Sequence, residues 1–188
     1  MPLNGATFLK EADTIIPGQG IKKMIRGIGI GSLRDSDGSI LTTSTEPKRA
    51  SLETNFEGIQ STNGQTDLGS LQFEIPRDYD QAVDKLKVRF LAQSAGTDVP
   101  TIDAAMYRKR AGAALSSDLN PTISGAINSL TALADYVEVN CDSLSLQPGD
   151  AISMDFTLSA HATHAANIYA IEIEYHSTFV YYDKTDRS

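Results

Sequence analysis

The sequence predicts an all-β chain, with a jelly-roll-like β-sandwich over residues 71–188 preceded by an extended N-terminal arm over residues 1–70. Three observations predict it. From Leu71 onward apolar and polar residues alternate with period two in one segment after another, the pattern of strands that bury one face. Turn-forming Gly, Pro, Asn and Asp separate these segments, and no strand–helix–strand rhythm appears, which favours a sandwich or jelly roll. Before Leu71 the apolar groups are short and scattered between polar, Gly-punctuated stretches such as Pro17-Gly18-Gln19-Gly20 and Asp35-Ser36-Asp37-Gly38-Ser39, which read as turns and loops.

The strands follow in order. Leu71, Phe73 and Ile75 alternate with Gln72 and Glu74 before Pro76. Leu86, Val88 and Phe90 then alternate with Lys85, Lys87 and Arg89, which places the cations outward. A strand is expected over Thr101 to Arg108 and another over Tyr136 to Cys141. Leu144 and Leu146 are expected to pair with Ile152, Met154, Phe156 and Leu158 across Gln147-Pro148-Gly149-Asp150. In that turn Pro presets φ and Gly supplies a positive φ. The last long strand runs from Ile168 to His176 and on towards Tyr182. Between residues 111 and 134 one short helix is expected, capped by Asn120 with Pro121 at its first position and Ile123, Ile127, Leu130 and Ala134 at helical spacing.

Composition narrows the function. The net charge of −8 and pI near 4.8 argue against non-specific nucleic-acid binding, which requires Lys and Arg to neutralise phosphates. Residues 71–188 carry net −7 and residues 1–70 only −1. Cys141 is the single cysteine, so neither an intrachain disulfide nor a Cys-based metal cage is expected. The N-terminus has no basic and apolar leader pattern, and no apolar run reaches the ~18 residues of a membrane span. No membrane partner, and synthesis in a cytoplasm-like compartment, are therefore expected.

The short motifs favour structure over chemistry. Asp35-x-Asp37-x-Ser39 lacks the Gly that a calcium loop needs, since Ile40 stands in its place. Gly27-x-Gly29-x-Gly31 lacks the third Gly spacing of a dinucleotide loop and the Lys-Ser/Thr ending of a phosphate loop. His161 and His164, with His176 and a nearby Glu172 or Glu174, are the nearest approach to a zinc set, but they sit in loop-like sequence. No Gly-x-Ser-x-Gly elbow occurs. Glu172 and Glu174 read as exposed alternating residues of one strand face, and Arg108-Lys109-Arg110 as a solvated strand end. No catalytic residue, metal or cofactor is expected.

The candidate partner-binding residues lie in the arm. Phe8, Leu9, Ile15, Ile16, Ile21, Met24, Ile25, Ile28 and Ile30 are too dispersed to bury one another, so they are expected to lie against a partner surface.

With the strands in place, Phe73-Glu74-Ile75-Pro76-Arg77-Asp78-Tyr79-Asp80, the strand Leu86 to Leu91, Ala105-Met106-Tyr107-Arg108-Lys109-Arg110-Ala111-Gly112 and the turn Leu146-Gln147-Pro148-Gly149-Asp150 resemble a group of jelly-roll capsid decoration (cement) proteins of tailed phages. The resemblance spans about residues 71–183 and does not reach the arm. It implies a virion protein on the capsid surface, bound to the major capsid protein and to copies of itself as a homotrimer. A carbohydrate- or receptor-binding sandwich and a hydrolase on a jelly-roll scaffold share the same pattern. The lack of Trp and the 7% aromatic content count against a sugar-stacking site.

Overall fold

The computed structural model describes residues 19–94, 101–124, 133–160 and 163–182. In chain order the strands are β1 (Gln19–Ile28), β2 (Arg34–Asp35), β3 (Lys48–Glu53), β4 (Phe56–Ser61), β5 (Thr66–Glu74), β6 (Leu86–Ser94), β7 (Thr101–Lys109), β8 (Thr122–Ser124), β9 (Asp135–Asn140), β10 (Ala151–Ser159) and β11 (Ala166–Tyr182). The larger sheet has the order β3-β4-β11-β6-β9-β8, with β1 added to β11, and the smaller has the order β2-β5-β10-β7. Every strand pair is antiparallel. From β4 to β7 successive strands fall alternately in the larger and the smaller sheet, and β9, β10 and β11 do the same. This is the wrapping of a jelly roll, so the chain is an all-β sandwich as its alternation predicts.

The alternation sets the core. β6 buries Leu86, Val88, Phe90 and Ala92, and β10 buries Ile152, Met154, Phe156 and Leu158, each 2% exposed or less. Phe90 of the larger sheet meets Phe156 of the smaller with ring centroids 5.3 Å apart at 56°, a tilted arrangement that suits the aromatic quadrupole. Gly69 of β5 lies directly opposite Phe156. A Cβ there would come within 2.5 Å of the Phe156 ring, so glycine is what lets the ring lie on the β5 backbone.

The structure departs from expectation in four places. The boundary expected at residue 71 falls inside β5, and residues 33–70 belong to the sandwich: Leu33, Leu41 and Ile59 are at most 1% exposed, and β3 and β4 extend the larger sheet. Their apolar groups are sparse along the chain, but each fills a place in a core that the rest of the domain supplies. The helix expected from Asn120 does not start there. Asn120 has φ 50°, and the chain passes through Pro121 into β8; the remaining expected helical residues 125–132 lie outside the described residues.

Leu144 and Leu146 form no strand, because Ser143 (φ 64°) and Ser145 (φ 54°) turn the backbone left-handed on alternate residues. Leu146 is still buried, and Gly149 closes the expected turn at φ 84° with an Asp150 N–H to Gln147 carbonyl bond of 3.0 Å. Finally, the basic run after β7 is tied into the fold. Arg108 donates to the carbonyls of Leu144 and Ser145, and Arg110 clasps Asp150 through two bonds of 2.7 Å. The free edge of β7 is closed by residues 116–119: Asp118 and Ser116 side chains accept from the N–H groups of Met106 and Arg108, and the Leu119 and Ser116 N–H groups donate to the carbonyls of Met106 and Arg108. An edge so covered cannot template another strand.

Candidate assembly surface

β11 is the longest strand of the sandwich, at 17 residues, and it organises the surface. Along one side it pairs with β6 from Ala166 to Tyr175. Along the other it pairs first with β4, over Ala166 to Ile168, and then with β1, from Ile171 to Tyr182. β1 is thus an outermost strand, laid on β11 beyond the end of β4. Gln19 stands opposite Tyr182, so the segment carrying Phe8, Leu9, Ile15 and Ile16 joins the sandwich beside the end of its last strand.

The expected partner-binding residues divide into four groups. Phe8, Leu9, Ile15 and Ile16 lie outside the described residues. Ile21 lies in β1, opposite Val180. Met24, Ile28 and Ile30 pack partly buried against the domain's own core; for Met24 and Ile28 the pairing of β1 with β11 turns the side chain inward, and Ile30 follows in the turn after β1. This corrects the expectation that they await a partner. Ile25 points away and is 56% exposed.

The outer face of the larger sheet is a ladder of charges. Lys23 of β1 meets Glu174 of β11 at 2.8 Å; Arg89 of β6 meets Glu174 at 2.8 Å and Glu172 at 2.9 Å; Lys87 meets Glu138 of β9 at 2.6 Å. Arg89 also lies over the Tyr136 ring, 3.8 Å from its centroid, a cation–π contact. The Glu172/Glu174 pair therefore serves as a cross-strand clamp, and the lysines and arginine point outward as the alternation predicts. On Glu174, burial pushes the carboxyl up, but Lys23, Arg89 and Lys87 outweigh it and hold it below the ordinary range. On Asp150, burial likewise pushes up, and Arg110 with the Gln147 N–H brings the net shift downward.

Both depressed carboxylates make the same pH prediction. Near pH 4 the unfolded chain binds more protons than the folded one, so stability is lost as pH falls in that region. The contribution of Glu174 and Asp150 is whole above the ordinary carboxylate range, near pH 4, and is lost as pH falls through their lower folded values. The melting temperature is expected to be flat from pH 7 to about 5 and to drop below about pH 4. Calorimetry across that range checks it, and Glu174→Gln should flatten the drop.

The smaller sheet presents a different outer face. By register Ser70, Asp155 and Ala105 lie side by side, as do Gln72, Ser153 and Tyr107. Burial alone raises the Asp155 carboxyl above its ordinary value.

A third feature went unread in the sequence. Phe56, 45% exposed, tilts against Tyr169 with centroids 5.3 Å apart. The Tyr169 hydroxyl bonds Glu53 at 3.0 Å and also contacts Gln93, and Gln60 donates to Asn167 at 3.0 Å. Tyr169 reaches this outer face because the β11–β6 register shifts between Ile168 and Ala170, a bulge that re-aims one side chain. An aromatic face ringed by amides and a carboxylate has the chemistry to stack and hydrogen-bond a sugar.

The histidines do not converge. His164 Nδ1 is 2.8 Å from Thr163 Oγ1, His176 lies ten residues beyond the start of β11, roughly 30 Å along a strand, and His161 lies outside the described residues. Among the described residues no group of three His, Cys, Asp or Glu could hold a metal ion. Cys141 is fully buried, and burial raises its thiol to about 12, which makes it a packing residue and a poor nucleophile.

These features define a β-sandwich of jelly-roll topology with β1 at one of its margins. No family model matches the chain, and no curated protein matches it. Among solved structures, TmCBM61 in complex with beta-1,4-galactotriose aligns over 80% of this chain and 86% of its own, at 10% identity and a TM-score of 0.36, a likeness too slight to carry a ligand or a function across.

Proposed function

We propose that this chain is a capsid decoration protein: a virion structural protein that binds the major capsid protein on the shell surface as a homotrimer and stabilises it without catalysis. The observation that carries this reading is the position of β1, which lies on β11 at a margin of the larger sheet. Phe8, Leu9, Ile15 and Ile16 precede β1 in the sequence, and the outer face of the larger sheet already pairs Lys23, Lys87 and Arg89 with Glu174, Glu138 and Glu172 of the same chain. A β-sandwich preceded in sequence by apolar residues suits clamping to a repeated surface, and the resemblance of residues 71–183 to cement proteins supports it. The outer face of β5, β10 and β7 offers a second area for contact with the shell.

A second reading has its own observation. The Phe56–Tyr169 cluster with Gln60, Asn167 and Glu53 favours a glycan-binding sandwich of a virion. One set of measurements separates the two. Purified full-length chain is mixed with shells that lack it and sedimented, its mass is taken by light scattering, and its binding to a saccharide array is read with and without Phe56→Ala. Co-sedimentation with a mass near three times 20.2 kDa is the expected result. Saccharide binding that Phe56→Ala abolishes, with no attachment to shells, would replace decoration by the glycan reading.

A further inference from the structure

Gly27 lies near the end of β1, Gly29 and Gly31 line the passage from there to β2, and the packed chain requires none of them. A Cβ built at any of the three meets no atom within 4 Å. None has a positive φ, and Gly29 sits at φ −67°, ψ 128°, which any residue adopts. The contrast with Gly69, whose Cβ would strike Phe156, and with Gly149 at φ 84° is direct. Glycine loses more chain freedom on folding than any other residue. Three that the packed form does not use point to a second arrangement in which this passage runs another way.

We propose that β1 is an exchangeable strand: in the assembled protein the seat along β11 is filled by β1 of a second copy. This deepens the assembly reading above and rests on it. β1 is an addition to the sheet order, so its departure leaves the pairings of β3, β4, β11, β6, β9 and β8 in place. Its seat is specific, with Ile28 opposite Ile171, Met24 opposite Tyr175, and Lys23 on Glu174. Those contacts are the same whichever chain supplies the strand, so exchange forfeits none of them.

The hinge is short and well placed. Leu33, fully buried, pins the start of β2, while Gly29, Gly31 and Ser32 are exposed and held by a single turn bonded from Ser32 to Gly29 and from Leu33 to Ile30. Charge favours a second copy as the partner. β1 carries Lys22, Lys23 and Arg26 and no acidic residue, whereas residues 71–188 carry net −7, so the strand of one copy is drawn to the body of another.

The register supplies the test. Ile25 and Glu174 stand directly opposite each other, within the Cα range that a disulfide spans, and Cys141 is buried out of reach. Full-length chain carrying Ile25→Cys and Glu174→Cys is refolded at about 1 mM, close to the concentration a short tether imposes on its own strand, then oxidised and run on a denaturing gel. About half of the chains are expected in covalent oligomers, falling to nearly none on refolding at about 1 µM.

Copies with Ile25→Cys alone, mixed with copies with Glu174→Cys alone, should link between chains at the higher concentration. Copies with Ile25→Cys mixed with copies with Leu68→Cys should not, which controls for random collision. Links that all stay within one chain at 1 mM, or no link in either arrangement, overturn strand exchange. Attachment of the unaltered protein to shells is measured apart: a chain that attaches while every link is intrachain loses exchange alone, and one that exchanges without attaching loses decoration alone.

Discussion

Replacing Phe156 with alanine is expected to destabilise the sandwich by about 3–5 kcal/mol, a fall in melting temperature of roughly 10 °C for a domain of this size. Phe156 is fully buried, tilts against Phe90 across the two sheets and lies on the backbone of Gly69. Its removal therefore opens a cavity at the one aromatic contact that joins the sheets among the described residues, and the strands on either side cannot close it without breaking register. Urea unfolding of the variant checks the figure. The companion Gly69→Ala probes the same contact from the other side, since its Cβ requires the Phe156 ring to move. The two together should be less damaging than the sum of each alone, because the space vacated by the ring is where the new methyl goes. A loss for Phe156→Ala under about 1.5 kcal/mol, the size of a tolerated volume-conserving change, would place the core elsewhere.

The second large effect separates folding from attachment through two truncations. Removal of residues 1–18 leaves every described strand intact, so the melting temperature should stay nearly unchanged while co-sedimentation with shells is lost or strongly weakened. Phe8, Leu9, Ile15 and Ile16 would each contribute roughly 1.5–3 kcal/mol of burial at a partner surface before ordering costs, so their loss outweighs any single surface change. Removal of residues 1–33 also takes β1 and Leu33. Leu33 alone is worth about 1.5–3 kcal/mol, so this longer truncation should melt measurably earlier and lose solubility as the Met24 and Ile28 seats on the core are uncovered. Equal attachment by the 19–188 chain and the full chain would make the N-terminal segment a passive tail and remove the main support for decoration.

Much of this architecture was legible locally. A strand's side chains alternate between faces whatever lies across from them, so Leu86 to Phe90, Ile152 to Leu158 and the stretch through Ile173 announced both their strands and their buried sides. The turn at Pro148-Gly149 was equally readable, because proline and glycine fix their own dihedrals. The misreadings share one cause. Leu144 and Leu146 have strand spacing but are held in a loop by two left-handed serines, and the helical spacing after Asn120 begins in a β8 that exists only because β9 is there to pair with it.

The assembly surface was harder to read. The arm was recognised as apolar and in need of a neighbour, but for Met24 and Ile28 that neighbour is β11 of the same chain, nearly 150 residues later in the sequence. The Phe56–Tyr169 cluster was invisible, since it depends on a register shift in β11 and on two residues 113 positions apart.

By itself, then, the sequence determined the all-β class, the inward face of most strands, the acidic second half and the isolation of Cys141, all of them properties that composition and nearest neighbours impose. The tertiary structure decided which strands share a sheet, that residues 33–70 complete the core, that Arg89 bridges Glu172 and Glu174, and that β1 lies on β11. The reason is physical: pairing and burial between distant segments are chosen by what the whole chain can bring together, and no local pattern encodes the partner.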